Sequence, residues 1–162
     1  MDAGDRIRQY IERLRNLYDD IRLWSRGQGL DITREEERLL EQDLGTYSAP
    51  ALKITCSGKF VASVKPIGAN VIGASGRVDI IGRLDKDSLV YLQTGGPGLT
   101  IKTSTDGEII EQSSKPFFKG VTDDGWYRIE EKRLGRARLL DQELFLDLLT
   151  EVSDYVADQS AK

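Results

Sequence analysis

Between residues 51 and 133 the chain alternates short runs of β-branched and aromatic residues with turns rich in glycine and aspartate. Aspartate and glycine tolerate the positive φ angles of tight hairpin turns, so pairs such as Asp106-Gly107 and Asp124-Gly125 predict hairpins. The connections are too short for the crossovers that parallel strands require. The sequence therefore predicts an antiparallel β meander of about six or seven strands. The predicted strands are 52–56, 59–64, 77–83, 88–93, 99–103, 108–112 and 126–131.

Amphipathic patterns predict two helices before this sheet. Apolar residues recur at steps of three and four over 4–26, which is typical of a helix with one buried face. Thr33 and Glu36 have the spacing of a capping box, and leucines follow them, so a second helix is expected before Gly45. The segment 1–45 is thus predicted to be a helical pair. The apolar stripe of the first helix consists of Ile7, Tyr10, Leu14, Leu17, Ile21 and Trp24.

A last helix is predicted over 141–157. Asp141 is a suitable N-cap because its carboxylate can accept a backbone N–H of the first turn, and an apolar stripe follows it. The predicted fold class is α+β: two N-terminal helices, the meander over 51–133, and a C-terminal helix packed on one face of the sheet. The 162 residues contain no low-complexity linker, so we expect a single domain over 1–162.

The composition excludes several kinds of site. The chain has no histidine, which removes Ser-His-Asp and Cys-His catalysis and histidine-ligated metals. Cys56 is the only cysteine, so we expect a small, buried or half-buried apolar side chain rather than a disulfide or a metal ligand. The N-terminus has no apolar run that would make a secretory signal or a membrane span. We therefore expect a cytoplasmic protein without a metal or cofactor.

The most distinctive segment runs from Gly68 to Asp79 and is rich in glycine. Gly68 and Gly73 have the spacing of the outer glycines of a phosphate-binding P-loop, but the lysine that would reach the phosphates is missing, so the P-loop interpretation fails. Arg77 and Asp79 alternate onto one face of the predicted strand. Two interpretations remain open: a polar recognition pair on a ligand loop, or a bulged hairpin with a solvated charged face.

Four charged residues form a hypothetical metal-dependent site. Glu130 and Lys132 belong to an E-x-K sequence, and Asp79 and Asp124 precede it. In restriction-like nucleases two carboxylates hold Mg²⁺ while the lysine of such a motif orients the attacking water. A turn followed by an exposed strand edge explains the same residues without any catalysis. A Mg²⁺-dependent phosphodiesterase or a nucleotide-binding protein is therefore the alternative function.

The densest positive patch of the sequence spans 128–138. Together with the aromatic residues before it, this patch could clamp a phosphate, stack a base or dock an acidic partner. A solvated connector would explain the same residues. The predicted binding residues are Arg77, Asp79, Trp126, Tyr127, Arg128, Lys132, Arg133, Arg136 and Arg138.

The preferred function is a non-catalytic interaction module, such as an adaptor, a chaperone-like protein or a toxin-neutralising partner. The net charge of −4 is distributed as two acidic ends around a mildly basic middle, which argues against a continuous nucleic-acid-binding face. Another protein is the expected partner, bound through the 128–138 patch, the first helix or a sheet edge. The stripe of the first helix is also compatible with a homodimer, and the acidic last helix with a basic partner. No membrane contact is expected.

Overall fold

The computed structural model describes residues 2–71, 73–94, 98–105, 108–116, 120–131 and 135–157. These residues form two helices and nine strands. The helices are α1 (Ala3–Trp24) and α2 (Gln142–Val152). Neither of these two described helices is long and apolar enough to cross a membrane. The strands are β1 (Leu30–Glu41), β2 (Gly45–Cys56), β3 (Lys59–Gly68), β4 (Arg77–Gly82), β5 (Lys86–Leu92), β6 (Gly98–Thr105), β7 (Glu108–Pro116), β8 (Gly125–Glu131) and β9 (Arg136–Leu139).

Seven strands form one antiparallel sheet in the order β1-β2-β3-β4-β5-β8-β9. Each strand pairs with the next along the chain, except that β5 pairs with β8. The class is therefore α+β with an antiparallel meander. The segments predicted as strands at 99–103 and 108–112 are strands, but they belong to β6 and β7, which pair with each other in a separate hairpin. The chain thus leaves the sheet after β5 and returns to it as β8.

The segment predicted as a second helix is strand β1. Thr33 and Glu36 are exposed positions of this strand, and no capping box forms. β1 pairs with β2 over its whole length, from Leu30 opposite Cys56 to Glu41 opposite Gly45. Two strands of 12 residues each make this pairing, and it outweighs the helix propensity of the glutamate, arginine and leucine residues in 34–40. The prediction of a helical pair over 1–45 is therefore wrong: in the described part of that segment α1 is the one helix.

Helix α1 agrees with the sequence-based expectation. The carboxylate of its N-cap, Asp2, accepts the backbone N–H of Asp5 at 2.8 Å, which gives a partner to one of the N–H groups that are unpaired at a helix start. At the other end the hydroxyl of Ser25 donates to the carbonyl oxygen of Ile21 at 2.7 Å. The buried side chains of α1 are Tyr10, Leu14, Leu17, Tyr18 and Ile21.

One apolar cluster joins both helices to the sheet. Leu52, Val64 and Ile80 are neighbours across β2, β3 and β4, and they share this cluster with the buried faces of α1 and α2. Helix α2 begins as predicted, because the carboxylate of Asp141 accepts the N–H of Leu144 at 2.8 Å. It ends at Val152 and not at the predicted 157, because the backbone is extended at Ser153. We call this side of the sheet the helix side. The buried side chains of α2 are Leu144, Phe145, Leu148, Leu149 and Val152.

The C-terminal end of α2 contacts the backbone of the sheet directly. The carbonyl oxygen of Val152 accepts the N–H of Leu84 at 2.9 Å and that of Asp85 at 3.2 Å. A Cβ atom added at Gly82 would lie 2.1 Å from the same oxygen. The absence of a side chain at Gly82 therefore allows α2 to pack this closely on β4.

A smaller apolar cluster covers the opposite side of β5, β8 and β9. Adjacent residues of a strand point to opposite faces, and the pair Trp126-Tyr127 illustrates this. Trp126 belongs to the helix-side cluster, whereas Tyr127 is fully buried in the opposite cluster. The members of the opposite cluster are Leu92, Val121, Tyr127 and Ala137.

β1 and β2 also extend beyond the sheet as a two-stranded arm. The paired residues of β2 and β3 begin at Leu52, so residues 45–51 pair with β1 alone. Near the tip of the arm, the carboxylate of Glu41 accepts the backbone N–H groups of Ala69 at 3.0 Å and Asn70 at 2.9 Å, and also the hydroxyl of Tyr47. The arm is therefore fastened to the turn that follows β3.

Candidate functional site

A groove of about 340 Å³ separates α1 from the end of the sheet at β8 and β9. One wall is the exposed flank of α1, and the other is formed by the start of β8 and the end of β9. We call this the α1–β9 groove. The lining residues that matter below are Arg13, Asp20, Trp24, Trp126, Leu139 and Leu140.

Aromatic side chains form the floor of the groove. The indole of Trp126 is only 7% exposed, and its Nε1 donates to the carbonyl oxygen of Arg13 at 3.2 Å. Its ring meets that of Tyr91 edge-on, with centroids 5.5 Å apart. Trp24 packs on Phe145 of α2, with centroids 5.8 Å apart. These contacts fix the rings, so the apolar floor is preorganised.

The guanidinium of Arg13 is held in place at one end of the groove. Its Cζ lies 4.3 Å from the centroid of the Tyr91 ring, a cation–π distance. Its Nη1 donates to the carbonyl oxygen of Ser75 at 3.2 Å. This arginine thereby links α1 to the turn before β4.

Two carboxylates line the same groove in different environments. Asp124 accepts the hydroxyl of Thr94 at 2.7 Å and its backbone N–H at 2.5 Å, and these bonds hold the pKa of Asp124 below its usual value. Burial raises the pKa of Asp20, and the carboxylate of Asp19 raises it further. Asp20 makes no hydrogen bond or ion pair with any residue that the structure describes. Asp20 is therefore available to a cation from outside the chain.

In the described part of the predicted basic patch, the two aromatic residues are divided between the faces of the sheet, whereas Arg128 and Arg138 are directly opposite each other in β8 and β9. Trp126 and Tyr127 lie on opposite sides of the sheet. Arg128 is paired within the chain, at 2.9 Å from Asp87 and 2.5 Å from Glu151. Arg138 lies 3.5 Å from the carboxylate of Glu130, and Arg136 is the exposed first residue of β9. Lys132 and Arg133 lie outside the described residues.

Arg77 and Asp79 form an ion pair on the side of β4 that faces away from the helices. Nε of Arg77 donates to Asp79 at 2.9 Å and its Nη2 at 3.2 Å. The hydroxyl of Ser88 donates to the same carboxylate at 2.7 Å, and Asp79 is 6% exposed. The carboxylate of Asp79 is thus engaged within the sheet, while the Arg77 side chain remains 40% exposed.

The residues of the hypothetical Mg²⁺ site are separated in the fold. Asp124 immediately precedes β8 and Glu130 lies near its end, so about 20 Å of extended strand separates them. Asp79 lies on β4 and is occupied by Arg77. In the described part of the chain no three His, Cys, Asp or Glu residues are grouped so that they could hold a metal ion. Lys132 is not among the described residues.

Other predicted interaction elements are partly used inside the chain. The apolar stripe of α1 is buried against its own sheet, which leaves little of it for a dimer seam. Cys56 is a free, half-buried thiol, as expected. β1 and β9 are the two edges of the seven-stranded sheet.

The sequence-based prediction missed most of the α1–β9 groove. It selected Trp126 but not Arg13, Asp20 or Leu139. The spacing of Arg13, Asp20 and Trp24, at seven and four residues, places them along one flank of α1 and was the available signal. The other wall of the groove includes β9, and the sequence analysis predicted no strand at that position.

No protein-family model, curated protein or solved structure matches this chain.

Proposed function

We propose that this chain is a non-catalytic protein-interaction module that binds a basic segment of a partner protein in the α1–β9 groove. The observation that carries this proposal is the juxtaposition of an exposed apolar lip, a fixed aromatic floor and the uncompensated carboxylate of Asp20. Leu139 supplies the lip and is 43% exposed. Such a combination suits an apolar side chain that is followed by a lysine or arginine.

The size of the groove favours a linear segment over a globular surface. About 340 Å³ accommodates one or two side chains, which is the scale of an anchoring residue in a protein interface. β9 is an edge strand and lies beside the groove. A bound segment can therefore also pair with its backbone, as in strand addition.

Charge supports a basic rather than an acidic occupant. The described lining of the groove contains one cation, Arg13, and two carboxylates, Asp20 and Asp124, and Asp20 has no partner among the described side chains. The whole chain is acidic, with a net charge of −4, which favours encounter with a basic surface. The separation of Asp79, Asp124 and Glu130 in the fold also supports a binding role over a metal-dependent one.

The test is affinity capture from lysate with quantitative mass spectrometry, followed by calorimetry with the recovered protein. We expect one basic protein to be recovered in stoichiometric amount. Asp20→Asn and Leu139→Thr should each weaken its affinity about tenfold, the loss of about 1.4 kcal/mol of binding free energy. The matched controls are Asp19→Asn, the neighbouring carboxylate on the same helix, and Leu84→Thr, an exposed leucine at 65%.

Three outcomes would overturn the proposal. The first is that no stoichiometric partner is recovered. The second is that the partner binds with equal affinity to the groove variants and to the two controls. The third is that light scattering shows the captured protein to be a second copy of this chain joined elsewhere than in the groove.

A further inference from the structure

A second cavity, of about 270 Å³, lies between α1 and the turn that connects β3 to β4. The described residues of this turn, 69–71 and 73–76, are the centre of the glycine-rich segment that the sequence singled out. We call the cavity the Arg6 pocket; Arg13 lines both it and the α1–β9 groove. Its polar lining consists of Arg6, Gln9, Arg13, Asn70, Ser75 and Gln93.

Helix α1 directs two cations into this pocket. Arg6, Gln9 and Arg13 are separated by three and four residues, so they lie along one face of the helix. The side chain of Arg6 makes no hydrogen bond or ion pair with the residues described, because the nearby carboxylate of Asp5 is paired with Arg8. The bond from Arg13 to Ser75 uses one of five guanidinium N–H donors. Both arginines therefore retain donors for a ligand.

Two acidic side chains bind the turn without lining the pocket. Glu41 accepts the backbone N–H groups of Ala69 and Asn70, and Asp43 accepts the side-chain amide of Asn70 at 3.0 Å. A Cβ atom added at Gly68 would lie 2.7 Å from the Glu41 carboxylate, so a side chain there would displace this carboxylate from the turn. No carboxylate is among the described lining residues, which leaves the pocket with a net positive charge.

The lining also restricts the ligand. No aromatic side chain is among the described lining residues, so nothing there would stack on a nucleobase. The volume is below the range of about 300–1,000 Å³ typical of drug-sized ligands. Two arginines suit a phosphate group, and the amides of Gln9 and Gln93 suit hydroxyl groups. We propose that the Arg6 pocket binds the phosphate of a small phosphorylated polyol, such as a sugar phosphate.

This proposal does not rest on the proposed protein-binding function, and its test uses a different readout. The full chain, labelled with ¹⁵N, is titrated with glucose 6-phosphate, ribose 5-phosphate and glycerol 3-phosphate, and in parallel with inorganic phosphate and with glucose. We expect at least one phosphate ester to shift the amide signals of Asn70, Ser75 and Gln93. Inorganic phosphate should bind more weakly than that ester, and glucose should cause no shift.

Variants of α1 provide the matched comparison. Arg6→Gln should weaken binding of the best ester about tenfold, whereas Arg15→Gln, at an exposed position of the same helix, should leave it unchanged. Circular dichroism of both variants verifies that α1 is intact. Arg6→Gln should also keep its protein partner, so the two proposals can fail separately.

Three results would overturn the assignment: no ester shifts these amides, Arg15→Gln weakens binding as much as Arg6→Gln, or inorganic phosphate binds as tightly as the best ester.

Discussion

The hydroxyl groups of two tyrosines tie α1 to the backbone of the sheet. The hydroxyl of Tyr10 donates to the carbonyl oxygen of Arg77 at 2.6 Å and accepts the N–H of Gly68 at 3.2 Å. The hydroxyl of Tyr18 donates to the carbonyl oxygen of Pro50 at 2.7 Å. Both side chains are almost fully buried, so water cannot replace these bonds.

Removing the two hydroxyls should therefore have unequal effects. Tyr10→Phe leaves a buried N–H and a buried carbonyl without their partner, and each such group costs about 1–3 kcal/mol. Tyr18→Phe leaves only the carbonyl of Pro50 without this partner. We expect Tyr10→Phe to lower the free energy of unfolding in urea more than Tyr18→Phe does. An equal or reversed order would contradict the geometry of Tyr10.

Buried tyrosines also predict how stability depends on pH. Burial raises the pKa of Tyr10, Tyr18 and Tyr47 well above the usual 10.0, and hydrogen bonding to Glu41 raises that of Tyr47 further. The folded chain keeps protons that the unfolded chain loses, so the contribution of these tyrosines to the free energy of unfolding is constant below about pH 10 and falls above it. The slope is about 1.4 kcal/mol per pH unit for each group.

Urea unfolding at about pH 8 and about pH 11 checks this dependence. Phenolate absorbance should report these three tyrosines only when the chain unfolds. Ionisation of these three tyrosines near pH 10 in the folded chain would contradict the predicted fall in stability.

Single residues also show where sequence-based prediction reaches its limit. Alternation along β8 would have placed Trp126 and Tyr127 on opposite faces, so their separation was predictable. The partners of Arg128 were not, because Glu151 is 23 residues away along the chain and meets it only after α2 has packed. For Arg128, charge density in the sequence therefore overestimated the charge that is free to bind a partner.

At the scale of elements, the contact between α2 and β4 depends on one missing side chain. Gly82→Ala would place a Cβ atom against the carbonyl oxygen of Val152, and overpacking of this kind costs about 1–3 kcal/mol. Gly4→Ala, in the first turn of α1, meets no atom closer than 3.4 Å and should stabilise the chain by about 0.5–1 kcal/mol. The midpoint of thermal unfolding should therefore fall for Gly82→Ala and rise for Gly4→Ala, although both replace glycine with alanine.

A gain in stability for Gly82→Ala would show that α2 does not approach β4 this closely. A loss for Gly4→Ala would show that its environment differs from the first turn of a helix.

The strand β1 shows why local patterns failed for one element. Its residues favour a helix individually, and Thr33 and Glu36 match a helix start. The opposing signal was the alternation of Leu30 and Ile32, followed by a turn ending at Gly45, whose φ is +79°. Only the presence of a partner strand of equal length decides between the two, and that information is not local. The helices α1 and α2 were predictable because their patterns and caps agree.

At the scale of the whole molecule, the β6–β7 hairpin is an excursion from the sheet. Among the described strands, β6 and β7 pair with each other and not with the seven-stranded sheet, and Leu92 at the end of β5 lies opposite Gly125 at the start of β8. Replacing 95–119 with about four glycine and serine residues should preserve cooperative unfolding, with a change in Tm of less than about 5 °C. Circular dichroism during heating measures both quantities.

A second variant, in which the same glycine–serine linker replaces residues 39–47 at the tip of the arm, is compared with the hairpin deletion. That replacement removes the contacts of Glu41 with the turn after β3 and the ring contact of Tyr47 with Tyr10 of α1, so it should lower the Tm by more than removal of the hairpin does. The opposite order would mean that the hairpin stabilises the sheet. A single cooperative transition in both cases is also what the prediction of one domain over 1–162 requires.

The two tryptophans of the chain, Trp24 and Trp126, both lie on the helix side of the sheet. Tryptophan fluorescence will therefore report mainly on that layer, and loosening around Tyr127 on the other face would change it little. The variant Ile129→Trp would place a tryptophan against the opposite apolar cluster. Its fluorescence would allow unfolding of the two faces to be compared during heating.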